Sequence, residues 1–149
     1  MWNDFKRFGQ LPRNRQWLIC EALLALAMAR VAMACIPFKR IAAWLGTAGT
    51  ETPASAADHE ILMAQEIGWA VSAVARRVLW DGRCLGQALA ATGMLRRRGL
   101  EGTVSFGAGR DESAEFTAHA WLRLGPLMVT GGPGQEQFKT FTTFARRRA

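Results

Sequence analysis

Apolar residues recur at helical spacing within residues 17–45 and 58–95, and beyond Gly99 they alternate. That single change of period constrains the fold more than any other feature. A helical face cannot be re-read as a strand face without exposing half of its apolar residues. The chain is therefore expected to be α+β, with helices first and a small antiparallel sheet after them.

The boundaries follow from punctuation. Residues 14–35 predict a first helix; Pro37 permits a new start, and FKRIAAWL gives a short second helix ending at Gly46. Residues 46–57, GTAGTETPASAA, are rich in Gly, Thr, Ser and Pro and read as the one internal hinge. It separates a helical N-terminal segment, 1–50, from a core, 51–149. Residues 58–79 predict a long helix with Asp58 as N-cap, and residues 82–98 another that stops at Gly99, suited to a left-handed C-cap. Then 103–106 alternate, 107–111 (GAGRD) break, and 116–124 alternate again. Gly125-Pro126 turns the chain into a partner strand at 127–130, glycines at 131–134 end it, and 138–144 form a last edge strand.

Half of the 149 residues are hydrophobic and 21% are charged, which excludes global disorder. The net charge of +7 favours acidic partners: an anionic membrane surface, nucleic acid or an acidic peptide. Nucleic acid has only charge in its favour, because the six tryptophans fall mostly at helical apolar positions. The runs Arg96–Arg98 and Arg146–Arg148 read as a solvated helix end and a frayed terminus. Cys20, Cys35 and Cys84 form an odd set with no CxxC pair, so a disulfide framework is not expected and a reducing cytoplasm is. Cys20 and Cys35, in an Ala- and Leu-rich stretch, read as small buried apolar residues. The N-terminus shows no secretory cleavage site. Residues 17–36 approach membrane-spanning length, but Glu21 and Arg30 interrupt them; a helix buried against others, docked at a membrane surface, is favoured over a span.

Cys84 falls in the first turn of its helix, where backbone N–H groups lack partners, and His119 follows 35 residues later within FTAHAWLRL. A thiolate is the working nucleophile of cysteine enzymes, and a helix N-terminus and an imidazole are what such a nucleophile uses. Residues 119, 121 and 123 share one strand face, while Ala118, Ala120 and Leu122 share the other and suit close packing on the Cys84 helix. His59-Glu60 suggests a zinc protease, but Met63 stands where HExxH needs its second histidine, so His59 reads as solvated. The glycine runs at 107–109 and 131–134 lack the context of phosphate or dinucleotide loops and read as flexible. No cofactor and no metal ligand set is expected.

Taken together, R-C-L-x-x-A-L-A with a following L-R-R-R-G, F-x-A-H-A-W-L around His119 and I-P-F-x-R at 36–40 resemble the transglutaminase-like leader peptidases of lasso-peptide biosynthesis, the B proteins. The resemblance implies a papain- and transglutaminase-like fold with a catalytic Cys helix packed on a sheet. It implies a cytoplasmic cysteine protease of antibiotic biosynthesis that removes the leader peptide from a ribosomally made precursor, with Cys84 as nucleophile and His119 as general base and acid. The implied partners are the precursor peptide, a separate leader-recognition protein and an asparagine-synthetase-like cyclase; the basic surface, separately, suits docking of that protein, the precursor or the inner face of the membrane. The family's third residue, an Asp, falls near Gly131 here, which offers only a backbone carbonyl; Thr130, Glu136 and Asp111 are alternative acceptors, a Cys–His dyad is a second outcome and a catalytically impaired chain a third. An acyltransferase or amidase on the same chemistry, or a membrane-associated adaptor without catalysis, remain as alternatives.

Overall fold

A computed structural model describes residues 2–80, 84–110, 112–132 and 135–147. In chain order the elements are α1 (Trp2–Gly9), α2 (Arg13–Cys35), α3 (Phe38–Leu45), β1 (Thr47–Ala48), α4 (Asp58–Ala75), α5 (Cys84–Arg96), β2 (Thr103–Arg110), β3 (Phe116–Leu124), β4 (Leu127–Thr130), one 3-10 turn and β5 (Phe138–Ala145). The fold is α+β, as the change of period predicts. The sheet is antiparallel with strand order β1-β5-β2-β3-β4.

One face of the sheet supplies the core. Val104 pairs with Leu122 and with Phe144, and Phe106 with Ala120. Val104, Ala120, Leu122, Leu124 and Phe144 are buried. Helix α5 lies against β3 and β4 on one side and against α2 and α4 on the other. Eight of its 13 residues are buried, four of them Gly86, Ala88, Ala90 and Ala91, whose small side chains permit close approach. The helix stops as expected: Gly99 has φ +70°, and the Leu100 N–H returns to the Leu95 carbonyl at 3.1 Å.

Several expectations change. Helix α1 forms ahead of residue 14, where the first helix is predicted to begin, and α4 ends at Ala75 rather than 79. The N-cap of α4 is Ala57, whose N–H donates to the Glu60 carboxylate at 3.1 Å, so Asp58 is the first helical residue. Strand β5 is not an edge, because β1 pairs with it, Thr47 to Ala145 and Ala48 to Phe144. The rest of the 46–57 segment is tied to the sheet: the Thr52 N–H donates to Thr103 Oγ1 at 2.8 Å, and Arg123 donates to the Thr52 and Pro53 carbonyls.

The arginine run is mostly structural rather than solvated. Arg96 caps α3 by donating to the Trp44 and Leu45 carbonyls at 2.6 and 2.7 Å, pairs with Glu101, and lies 4.6 Å over the Trp44 ring. Arg98 makes two bonds to Glu21 on α2, at 2.7 and 3.0 Å. Only Arg97, 71% exposed, fits the solvated reading. At the terminus Arg146 also donates to the Trp44 carbonyl, whereas Arg148 lies outside the described residues. Cys20 and Cys35 are exposed, not buried. Both lie on the side of α2 away from its buried residues, Leu18, Ala22, Leu26 and Ala29, which local composition cannot reveal.

Candidate active site

Cys84 is the first residue of α5, so its N–H has no carbonyl one turn earlier within the helix to bond. The packing of α5 on β3 carries the thiol to the strand that bears His119. Cys84 Sγ accepts a hydrogen bond from the Ala120 N–H at 3.4 Å, the amide of the His119–Ala120 peptide bond. Among the described residues β4 pairs with β3 only at Leu122, Arg123 and Leu124, so Ala120 has no register partner on β4. Asp81, Gly82 and Arg83, read as the break before this helix, lie outside the described residues.

His119 is held from three sides. Its ring stacks on Phe138 at 5.0 Å and 28° and on Trp121 at 5.9 Å and 30°. Its Nε2 lies 3.0 Å from the Gly131 carbonyl oxygen. A carbonyl only accepts, so Nε2 carries the hydrogen and the neutral ring keeps its lone pair on Nδ1. Among the described residues no hydrogen bond joins Sγ of Cys84 to the imidazole: the sulfur reaches the strand edge, and the ring leans over the face shared with Trp121. Both groups are part-buried. Such pairs are commonly loose without substrate and close when it binds.

Gly107, Gly109 and Gly131 build these surroundings through the side chains they lack, while residues 133 and 134 of the second glycine run lie outside the described residues. Gly107 and Gly109 lie inside β2, directly beside β3. A Cβ at Gly107 would come 2.7 Å from the Trp121 ring and 3.0 Å from Phe138 Cβ, and one at Gly109 would strike the Gln137 carbonyl. Their missing side chains make the space that the aromatic rings around His119 fill. At Gly131, φ is +84° and a Cβ would collide with the Cβ of Trp121 and approach the Ala120 carbonyl at 2.9 Å. An Asp at 131 has no room in this backbone; the main-chain oxygen occupies the place facing the imidazole.

The other acceptor candidates do not meet His119. Thr130 Oγ1 is buried with no hydrogen-bond partner among the described residues. Glu136 is exposed, and Asp111 lies outside the described residues. His59 is exposed beside the capping Glu60, far from any ligand set. Among the described residues no three of His, Cys, Asp and Glu gather to hold a metal ion. The signals that sequence reasoning missed are the aromatic walls, Trp121 and Phe138, and the glycines that admit them. Alternation does place Trp121 on the face of His119; Phe138 required the strand order.

With this geometry in view, the chain belongs to the Transglutaminase-like superfamily, whose sequence pattern matches residues 32–145. The match takes in α3, α4, α5 and the whole sheet, but only the last turn of α2. No curated protein and no solved structure matches the chain. The superfamily is one of cysteine peptidases and transglutaminases, and a cysteine at a helix start packed on a histidine-bearing strand is consistent with thiol-based acyl chemistry.

Proposed function

We propose, taking membership of the transglutaminase-like superfamily as the premise, that this protein is a cysteine peptidase that removes the leader from a ribosomally made precursor of the lasso-peptide type. The observation that carries the reading is Cys84 at the open end of a buried helix, its sulfur on the His119–Ala120 peptide, with His119 fixed by the Gly131 carbonyl. The motifs around both residues supply the narrower assignment.

In this mechanism the Nδ1 lone pair of His119 takes the thiol proton of Cys84. The sulfur then adds to the carbonyl carbon at the leader–core junction, and the backbone N–H of Cys84 is one donor to the oxyanion. As the C–N bond breaks, the imidazolium returns its proton to the departing amine, the new N-terminus of the core. Water, deprotonated by His119, hydrolyses the thioester and frees the leader as a carboxylic acid. The Gly131 carbonyl holds the ring in the tautomer this sequence needs, the orienting part usually given to an acid. An uncharged acceptor suffices more readily for a thiol than for a serine, since a thiolate–imidazolium pair forms on its own. A leader-recognition protein delivers the substrate, and a separate cyclase consumes the freed amine.

The test is reconstitution with a lasso-type precursor peptide and a leader-binding protein, read by mass spectrometry. Leader released as an acid, lost in Cys84→Ala and in His119→Ala, is the expected result. Leader or core recovered as a new amide would replace the peptidase by the acyltransferase that the superfamily also contains. Cleavage unaffected by Cys84→Ala would end both.

A further inference from the structure

Helix α2 carries more apolar surface than the fold consumes. It is long and apolar enough, by length and composition, to cross a membrane, yet only Leu18, Ala22, Leu26 and Ala29 of its 23 residues are buried. On its opposite side Trp17, Leu24, Met28 and Val31 are 76%, 58%, 64% and 61% exposed, with Cys20 and Cys35 exposed among them. Spacings of seven, four and three place Trp17, Leu24, Met28 and Val31 on one helical stripe about 21 Å long. The stripe borders an apolar hollow of about 550 Å³, lined by Leu24, Met28, Ile36, Trp44, Arg40 and Arg97.

Charge tells what covers it. Between residues 13 and 45 the chain has five cations, Arg13, Arg15, Arg30, Lys39 and Arg40, and one acid, Glu21. Glu21 is occupied by Arg98, and Arg15 by Glu66 on α4. Arg13, Arg30, Lys39 and Arg40 are exposed and, among the described residues, pair with no carboxylate. A second copy seated on this face by a two-fold axis would set Arg13, on the stripe, and Arg40, at the hollow, against cations of the same kind. A surface offering anionic groups above hydrocarbon satisfies both the guanidiniums and the stripe, and Trp and Arg are residue types that settle at such a boundary.

We infer that α2 docks this protein on an anionic lipid surface, with Trp17, Leu24, Met28 and Val31 in the acyl boundary and Arg13, Arg30, Lys39 and Arg40 at the headgroups. The helix lies on the bilayer and does not cross it, because its other face is packed on α4 and α5 and held by the Arg15–Glu66 and Glu21–Arg98 pairs. This placement is independent of the thiol chemistry.

Co-sedimentation of the full chain with vesicles tests it. Vesicles of roughly three parts phosphatidylcholine to one part phosphatidylglycerol are expected to bind the protein, weakening with salt, while pure phosphatidylcholine binds at least about tenfold less. The triple variant Leu24→Gln, Met28→Gln, Val31→Gln changes only exposed positions and is expected to lower binding about tenfold or more with the circular dichroism spectrum retained. Arg30→Glu with Arg40→Glu is expected to act similarly on anionic vesicles alone. Wild-type protein that stays in the supernatant, equal binding to both vesicle types, or an unaffected triple variant overturns the inference. So does light scattering that shows a dimer which the triple variant dissolves.

Discussion

Helices α2 and α5 are alike as sequences and opposite as structures. Both are Ala- and Leu-rich, neither shows a clear polar face, and each carries a cysteine or two. Helix α5 is enclosed by α2, α4 and the sheet and buries eight of 13 residues; α2 buries four of 23. The difference comes from position in the stack. An apolar helix in the middle of three layers finds partners all round, whereas the same texture on the outside finds them on one side only. What such a helix does with its remaining face is then a question about the surroundings of the molecule, not about its core.

The largest effect that separates the two helices is chemical. Cys84→Ala, at the head of α5, is expected to lower leader cleavage by roughly a thousandfold or more with little change in thermal midpoint. Cys20→Ala with Cys35→Ala on α2 should leave cleavage within about twofold. That double variant also removes the exposed thiols, so iodoacetamide labelling then reports Cys84 alone. Equal losses from both sets would break the contrast.

Methionine gives the matching test of stability. Met94 on α5 is 1% exposed and Met28 on α2 is 64% exposed. Urea unfolding is expected to show a loss of about 2–5 kcal/mol for Met94→Ala and under about 0.5 kcal/mol for Met28→Ala. A large loss at Met28 would mean that another part of the chain covers the stripe.

A smaller effect tests the tie between the two helices. The Arg98 guanidinium, bonded to Glu21, holds that carboxyl below the usual carboxylate range, against the opposing effect of its burial. A carboxyl whose folded pKa is depressed stabilises the fold above its unfolded value, about 4.3, and that contribution is lost as pH falls through the lower folded one. Glu21→Gln should therefore cost about 1–2 kcal/mol near neutral pH, a difference that shrinks below about pH 4. A pH-independent difference would show that packing, not the charge, is what Glu21 provides.

The pattern of residues made much of this legible. Alternation locates β3 and the β3–β4 hairpin, Gly99 marks the end of α5, and the order of elements predicts that the helix of Cys84 packs on the strand of His119, as α5 and β3 do. What escaped depends on neighbours distant in sequence. Arg96 and Arg98 look solvated until α3 and α2 arrive with carbonyls and a carboxylate. Gly107 and Gly109 look like a break until the Trp121 and Phe138 rings claim the space they leave. Cys20 and Cys35 look buried in a composition that says nothing of which face is covered. The orienting contact of His119 escaped for a different reason: its acceptor is main chain, and side-chain patterns do not report main-chain direction.

That last feature has a genetic consequence. Every amino acid brings a carbonyl, so no codon change at 131 can delete the oxygen facing His119; it can only be displaced, by a residue that cannot tolerate the tight bend. Selection would then act on the shape of the hairpin, and drift at this position would register as misalignment of a ring and not as the loss of a functional group.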